Sequence, residues 1–380
     1  MLWSARWKRR RKSAGNNCGT FISSRVHGPE DSQDTVFEDI KPLLTSLLDG
    51  CYNVCIMAYG QTGSGKTYTM MGSQLPGEHS CTQQETQQGI IPKATAELFR
   101  LISEEPAESH TVEVSVMEVY NNEVFDLLAR DEQGNTISQR RDVITTSSGT
   151  SQVTSLTYEP VSSTSEVMQI ISRVLKLRAH SPTLVHTDSS RSHLIVTLTI
   201  SSKSPSALAV GETLQGAKRG MHPASSPCPS PFQSPCPSPR HSISQTPFRT
   251  KLQLVDLAGS ECVGMSGVSG AALWEVSCIN RSLSALSDVL GALAEQRPHV
   301  PYRNSKVTHL LQDAIGNTLK QPCLSPSCPP GGDAKLLVML CVSPTQRFIT
   351  ESLQSLGFGT RARQVQKELP RRKNYTLKVK

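Results

Sequence analysis

The stretch AYGQTGSGKTYTM (58–70) carries residue types at the spacing of a phosphate cradle: Gly60, Gln61, Thr62, Gly63, Ser64, Gly65, Lys66 and Thr67. They satisfy G-x-x-x-x-G-K-[ST], and each fixed position has a physical reason. Glycines let backbone N–H groups turn inward onto α- and β-phosphates. The lysine ammonium reaches the β- and γ-phosphates, and the threonine hydroxyl can ligate Mg²⁺. The apolar run YNVCIMAY before the motif reads as a strand, and helix-compatible residues follow it. That strand–loop–helix frame is the one the chemistry needs.

Two further stretches hold groups that could act on a bound triphosphate. LQLVDLAGSE is a buried-strand pattern ending in Asp256, with Gly259 three residues on. An acid at such a strand tip can support Mg²⁺ through water, and the glycine lets a backbone N–H approach the γ-phosphate. SSRSHLIVTLTI (Ser189 to Ile200) sets Ser190 and Arg191 before a strongly alternating strand. The serine hydroxyl can complete Mg²⁺ coordination, and the arginine can pair with a carboxylate such as Glu261. Taken alone, D-x-x-G is a weak signal, and SSRSH reads equally as a polar turn ahead of a strand.

The elements that must position these groups alternate in type. VFEDIKPLLTSLLDG and SEVMQIISRVLKLR have helical period, whereas TVEVSVMEVY alternates as a strand. Strands interleaved with helices around a phosphate loop predict an α/β domain with a mostly parallel, twisted central sheet and helices on both faces. Residues 203–249 break the pattern: PASSPCPSPFQSPCPSPRHSISQTP is too rich in Pro and Ser for a helix or central strand, and reads as a disordered insertion. A second loop rich in Pro, Cys and Gly occupies 320–333. Ser226, Ser230, Ser234 and Ser238 each precede proline, so the first insertion reads either as a phosphorylation switch or as an unregulated loop.

Composition bounds the function classes. The net charge of +7 over 380 residues suits an acidic partner as well as an ordinary basic protein. Eleven cysteines with no C-x-x-C pair argue against a zinc framework and for a reducing compartment. No apolar run approaches a membrane span. KRRRK (Lys8 to Lys12) is open to three readings: an import tag, an electrostatic arm or a solvated terminus. Neither basic end carries the aromatic interleaving of a nucleic-acid surface, so nucleic acid is an unlikely partner. Heptads long enough for a coiled coil are missing, so any homo-oligomer is expected to form through other surfaces.

Taken together, AYGQTGSGKTYTM, SSRSH and VDLAGSE, in that order, resemble the kinesin motor domain. VYNNEVFDLL, INRSLSALSDVLGAL, PYRNSKVTHLLQDAIG and ESLQSLGFGTRARQVQ add to the resemblance, which covers 34–200 and 250–366. It implies a motor domain over 34–366, between a basic N-terminus (1–33) and a basic tail (367–380). It further implies that Gly60 to Thr67 hold ATP, with Thr67 and Ser190 on Mg²⁺ and Asp256 supporting the ion from the second shell. Arg191 would latch to Glu261 to position the lytic water, and the Gly259 N–H would sense the γ-phosphate. Asn280, Arg281, Arg303 and Lys306 match positions that contact tubulin, making microtubules the expected partner. SECVGMSG, QRPHVPYRNSK and LLQDAIGN look most like the C-terminal-motor branch, which moves toward microtubule minus ends and serves the spindle and centrosome. A cytoplasmic, cytoskeletal location follows from the same resemblance. The other reading left open is a microtubule-binding regulatory protein with little or no ATPase activity.

The sequence departs from the family in several places. Kinesins open with a strand ending in R-x-R-P that packs on adenine; here FISSRVHGPEDSQDTVFEDI precedes the phosphate loop, so that strand is expected to be missing. His186 and Thr187 replace the usual Asn-Glu before SSRSH. Ser277 and His309 stand where a lysine and an arginine are common, which predicts a weaker basic surface toward tubulin.

Overall fold

In the computed structural model of the chain, residues 25–49, 53–73, 87–105, 110–147, 149–180, 191–202, 248–262, 270–315 and 334–365 are described. The expected missing first strand falls on residues outside this set, as do His186, Thr187, Ser190 and nearly all of the two Pro-rich insertions.

The centre is a sheet of eight strands in the order β10-β1-β9-β8-β2-β3-β4, with β7 pairing on β2. Its strands are β1 (Asn53–Tyr59), β2 (His110–Tyr120), β3 (Glu123–Asp126), β4 (Gln139–Arg141), β7 (Glu159–Val161), β8 (His193–Ser202), β9 (Phe248–Asp256) and β10 (Ala334–Leu340). A two-stranded ribbon, β5 (Val143–Thr145) with β6 (Ser151–Val153), stands apart. The sheet is mixed, which corrects the expectation of a mostly parallel one. Only β1 runs parallel to its neighbours, β9 and β10. The other pairings are antiparallel. A parallel pair needs a long crossover, usually helical. β2 and β3 instead meet through a two-residue turn, with Asn121 and Asn122 at φ 49° and 61° between the paired Tyr120 and Glu123. β8 and β9 are paired from Leu194↔Asp256 to Ser202↔Phe248, so the first insertion is the loop of a hairpin.

Both faces of the sheet are covered, and the strands show why. Along β1, Val54, Ile56 and Ala58 join one buried cluster while Cys55, Met57 and Tyr59 join the other. A period of two with apolar residues in both phases is what two covered faces require. The first face carries α1 (Gln33–Glu38), α2 (Lys41–Asp49), α3 (Lys66–Met71), α4 (Ile90–Glu104) and α5 (Thr164–His180), through residues such as Leu44, Met70, Leu98 and Ile171. The second carries α6 (Ala271–Ala294), α7 (Lys306–Leu310), α8 (Gln312–Ile315) and α9 (Ile349–Gln364). On α6, Ile279, Leu283, Leu286, Leu290 and Leu293 are all buried, the stripe expected from their helical spacing.

Leu286 is fully buried, whereas Leu353 on α9 is 46% exposed. Leu286→Ala is expected to destabilise the domain by about 2–5 kcal/mol and Leu353→Ala by less than about 0.5 kcal/mol. Denaturant unfolding of the two variants checks the difference.

Candidate functional site

β1 ends against β9 on one side and β10 on the other, and both neighbours continue their hydrogen bonding past the last paired residue. The Cys341 N–H donates to the Tyr59 carbonyl at 2.8 Å, and the Ser260 N–H to the Gly60 carbonyl at 3.0 Å. The start of the phosphate loop is therefore pinned from two directions. Gly60 has no room for a side chain: a Cβ there would lie 2.1 Å from the Cys341 carbonyl oxygen. Gly63 and Gly65 are glycines for a different reason, with φ of +76° and +98° in open surroundings. Such values lie in the left-handed region that glycine adopts most readily. Gly65 is also the N-cap of α3, with no side chain of its own to occupy the helix N–H groups.

Lys66 and Thr67 open α3 beneath this loop. The Lys66 ammonium is buried and donates to the Gln61 carbonyl at 2.9 Å, which the Ser64 hydroxyl also reaches at 2.7 Å. The Thr67 hydroxyl donates to Asp256 Oδ2 at 2.7 Å, joining the loop to the tip of β9. This is a hard, oxygen-only donor pair beside a glycine-rich turn at the start of a helix, and it fits a Mg²⁺-bearing polyphosphate.

Residues 257–261, which follow β9 and are termed the second switch, lie against the loop. Glu261 accepts from the Thr62 N–H at 2.9 Å and from the Thr62 hydroxyl at 2.8 Å. Gly259 lies beneath that contact: a Cβ on it would be 2.2 Å from the Glu261 carboxylate and 2.3 Å from the Thr62 hydroxyl. The expected Arg191–Glu261 latch is not formed. Glu261 is taken by Thr62, and Arg191 lies instead 3.6 Å from Glu275 on α6, whose other oxygen accepts from the Tyr120 hydroxyl. Each charge is already held, so closing the latch means exchanging both partners. Sequence reasoning missed Thr62 and Glu275 as these partners, since no spacing relates them to Arg191 or Glu261.

The four candidate tubulin residues sit on adjoining elements of the second face. Asn280 is half-buried and Arg281 exposed on α6; Arg303 is exposed in the turn Tyr302–Asn304, and Lys306 is half-buried at the start of α7. Ser277 is half-buried and its hydroxyl donates to the Leu273 carbonyl. His309 points inward, which corrects its expected place on the basic surface. Its Nε2 lies 2.8 Å from the Thr145 hydroxyl, and burial, with Arg303 and Lys306 nearby, lowers its pKa below the ordinary 6.5.

Strand–loop–helix, an acid at the tip of the neighbouring strand and a carboxylate hooked onto the loop define a P-loop nucleotide hydrolase of the motor type. A family model for the kinesin motor domain matches residues 4–365, and the chain belongs to that family. Kinesin-like protein KIF25 of Macaca fascicularis is 50% identical over 361 residues, which are 92% of this chain and 58% of that protein. KIF25 of Homo sapiens is 47% identical over 390 residues, 98% of this chain and 97% of its own length. Kinesin-like protein KIN-14E of Oryza sativa subsp. japonica is 36% identical over 349 residues, 91% of this chain but 26% of the plant protein. The chain thus spans just over half of the macaque relative, nearly all of the human one and a quarter of the plant one. Among solved structures, that of a fast kinesin superposes with a TM-score of 0.68 at 31% identity, covering 95% of this chain and 85% of the other. The C-terminal motor and motor homology domain of Kar3Vik1 superposes with a TM-score of 0.60 at 30% identity, covering 88% and 69%. Kinesin motor domains are microtubule-based ATPases that bind nucleotide with Mg²⁺. Family membership therefore supports both the α/β fold and the nucleotide site.

Two predictions follow from this geometry. Gly60→Ala, which collides with backbone, is expected to weaken a fluorescent ATP analogue at least about tenfold. Gly63→Ala meets only backbone strain of about 1–2 kcal/mol and is expected to do less; equilibrium titration compares them. For His309, the folded chain takes up its proton at lower pH than the unfolded chain. Its contribution to stability is whole above about pH 6.5 and declines as pH falls through that value. His309→Gln is expected to flatten the loss of Tm between about pH 6.5 and 5.

Proposed function

We propose that this chain is an ATP-driven microtubule motor, minus-end-directed, acting in spindle or centrosome organisation. The observation that carries the reading is the Glu261–Thr62 contact: the second switch is tied to the phosphate loop itself, so the contents of the loop can be felt by the switch. The KIN-14 and C-terminal-motor relatives support the minus-end branch.

In this reading Gly60 to Thr67 hold ATP, their N–H groups and the Lys66 ammonium facing the phosphates. Thr67 and Ser190 would hold Mg²⁺, and Asp256, already bonded to Thr67, would orient that hydroxyl and support the ion through water. Bound Mg-ATP supplies the electrophilic γ-phosphorus and the leaving group. Ser190 also contacts the γ-phosphate, and the Gly259 N–H turns toward it. Glu261 leaves Thr62 and Arg191 leaves Glu275; the two then pair and hold the lytic water in line. Because Glu275 belongs to α6, releasing Arg191 also frees one restraint on that helix. Asn280, Arg281, Arg303 and Lys306 meet the acidic tubulin surface, so microtubule binding weakens with salt. The motor domain spans 34–366.

Steady-state ATP hydrolysis with and without polymerised tubulin tests the proposal. Strong stimulation is expected, and Glu261→Ala is expected to lower the stimulated kcat by at least about 100-fold. Microtubule binding without stimulation would replace the motor by a tether. Gliding of polarity-marked microtubules then reports direction.

A further inference from the structure

His193 opens β8 with its imidazole buried and both ring nitrogens engaged. The Ala258 N–H donates to Nδ1 at 3.0 Å. A backbone N–H can only donate, so Nδ1 carries no proton, and the proton of the neutral ring sits on Nε2. Nε2 lies 2.8 Å from the Ser282 hydroxyl on α6. That hydroxyl in turn donates to the Ile279 carbonyl at 2.7 Å. Every donor thus meets an acceptor in one direction, from Ala258 to His193 to Ser282 to Ile279. Ala258 immediately precedes Gly259 of the second switch, and Ile279 immediately precedes Asn280. The entry to β8 is braced separately by Ser192, whose hydroxyl donates to Glu118 on β2.

We propose that His193 is a positioning residue, a rigid strut that carries displacement of the second switch into α6. This rests on the motor reading above and adds the physical link between γ-phosphate sensing and the helix bearing Asn280 and Arg281. A flat ring bonded at both ends leaves two options when Ala258 moves. Either Ser282 and its helical turn follow, or a buried hydrogen bond breaks and leaves an unsatisfied group behind. The link therefore has discrete arrangements, as an element coupling two sites requires.

Trp274 supplies the reporter. It lies on α6 two turns before Ser282 and is 58% exposed, and the other two tryptophans, Trp3 and Trp7, can be replaced by phenylalanine. In that background a non-hydrolysable ATP analogue with Mg²⁺ is expected to change Trp274 emission. Ser282→Ala removes both the acceptor of the Nε2 proton and the donor to the Ile279 carbonyl, so it cuts the chain between His193 and α6 while leaving the Ala258 contact in place. It is expected to cut the amplitude of that change about five- to tenfold, the loss of one net hydrogen bond. The ratio of microtubule-stimulated to unstimulated turnover should fall by a similar factor, while affinity for a fluorescent ATP analogue stays within about twofold. His193→Asn, which keeps an acceptor toward Ala258 and withdraws from Ser282, is expected to show the same split. An undiminished Trp274 response in Ser282→Ala overturns the strut. So does a matching loss of nucleotide affinity, which would mark a merely structural contact. If the reference chain shows the Trp274 response without microtubule stimulation, and Ser282→Ala loses it, the motor reading fails and the strut stands. If the reference chain gives no Trp274 response, the strut is overturned.

Discussion

The hydrogen bond from the Thr67 hydroxyl to Asp256 is the contact on which the rest of the site depends. It joins the first turn of α3 to the tip of β9 and so fixes the distance between the phosphate loop and the second switch. Its effect would be slight if the two elements were loosely related, but β1 and β9 are paired in parallel register from Val54↔Leu252 to Ala58↔Asp256. The Gly60 carbonyl, accepting from Ser260, continues that register past the end of both strands. A polar pair in so constrained a place has little freedom to wander. It can serve as a reference from which displacements elsewhere in the site are measured.

Around that fixed point the charged side chains hold exchangeable partners. Glu261 rests on Thr62, an uncharged group, and Arg191 rests on Glu275 at a separation where the attraction is modest. Neither arrangement is deep, which is what a switch needs: a residue locked into a tight buried pair would cost several kcal/mol to release. The contrast with Asp126 is instructive. That fully buried carboxylate accepts from the Leu128 and Thr157 N–H groups and faces Arg141, a satisfied set with no role in exchange. Both carboxylates are well bonded; they differ in how many partners would have to be given up to leave.

The phosphate loop was legible in the sequence because the demands of phosphate binding and of tight backbone geometry fall on eight consecutive positions, so the pattern is local. The stripe on α6 was legible for a similar reason, since helical period is local. The sheet was not, because strand direction depends on how strands are joined. The Asn121–Asn122 turn decides the β2–β3 pairing, and alternation of apolar residues is the same in either direction. His309 was misplaced because a sequence position that often bears a surface arginine says nothing about the Thr145 hydroxyl waiting in the ribbon. Thr62 as the partner of Glu261, and Glu275 as that of Arg191, escaped notice because each pair is far apart along the chain. The SSRSH motif showed Arg191 plainly and His193 hardly at all, although the histidine contacts both the second switch and α6.

The hairpin made by β8 and β9 also sets a distance. β8 begins at His193 beside the nucleotide-binding residues and ends at Ser202, where the Pro/Ser-rich insertion departs. Ten extended residues span about 30 Å, roughly three to four screening lengths in physiological salt. The anchors of the insertion and Asp256 therefore occupy opposite poles of one stiff ladder. Charge added at those anchors is screened over roughly three to four such lengths before the end of the ladder that carries His193 and Asp256, so a label or a tether fixed there leaves the field at that end almost unchanged.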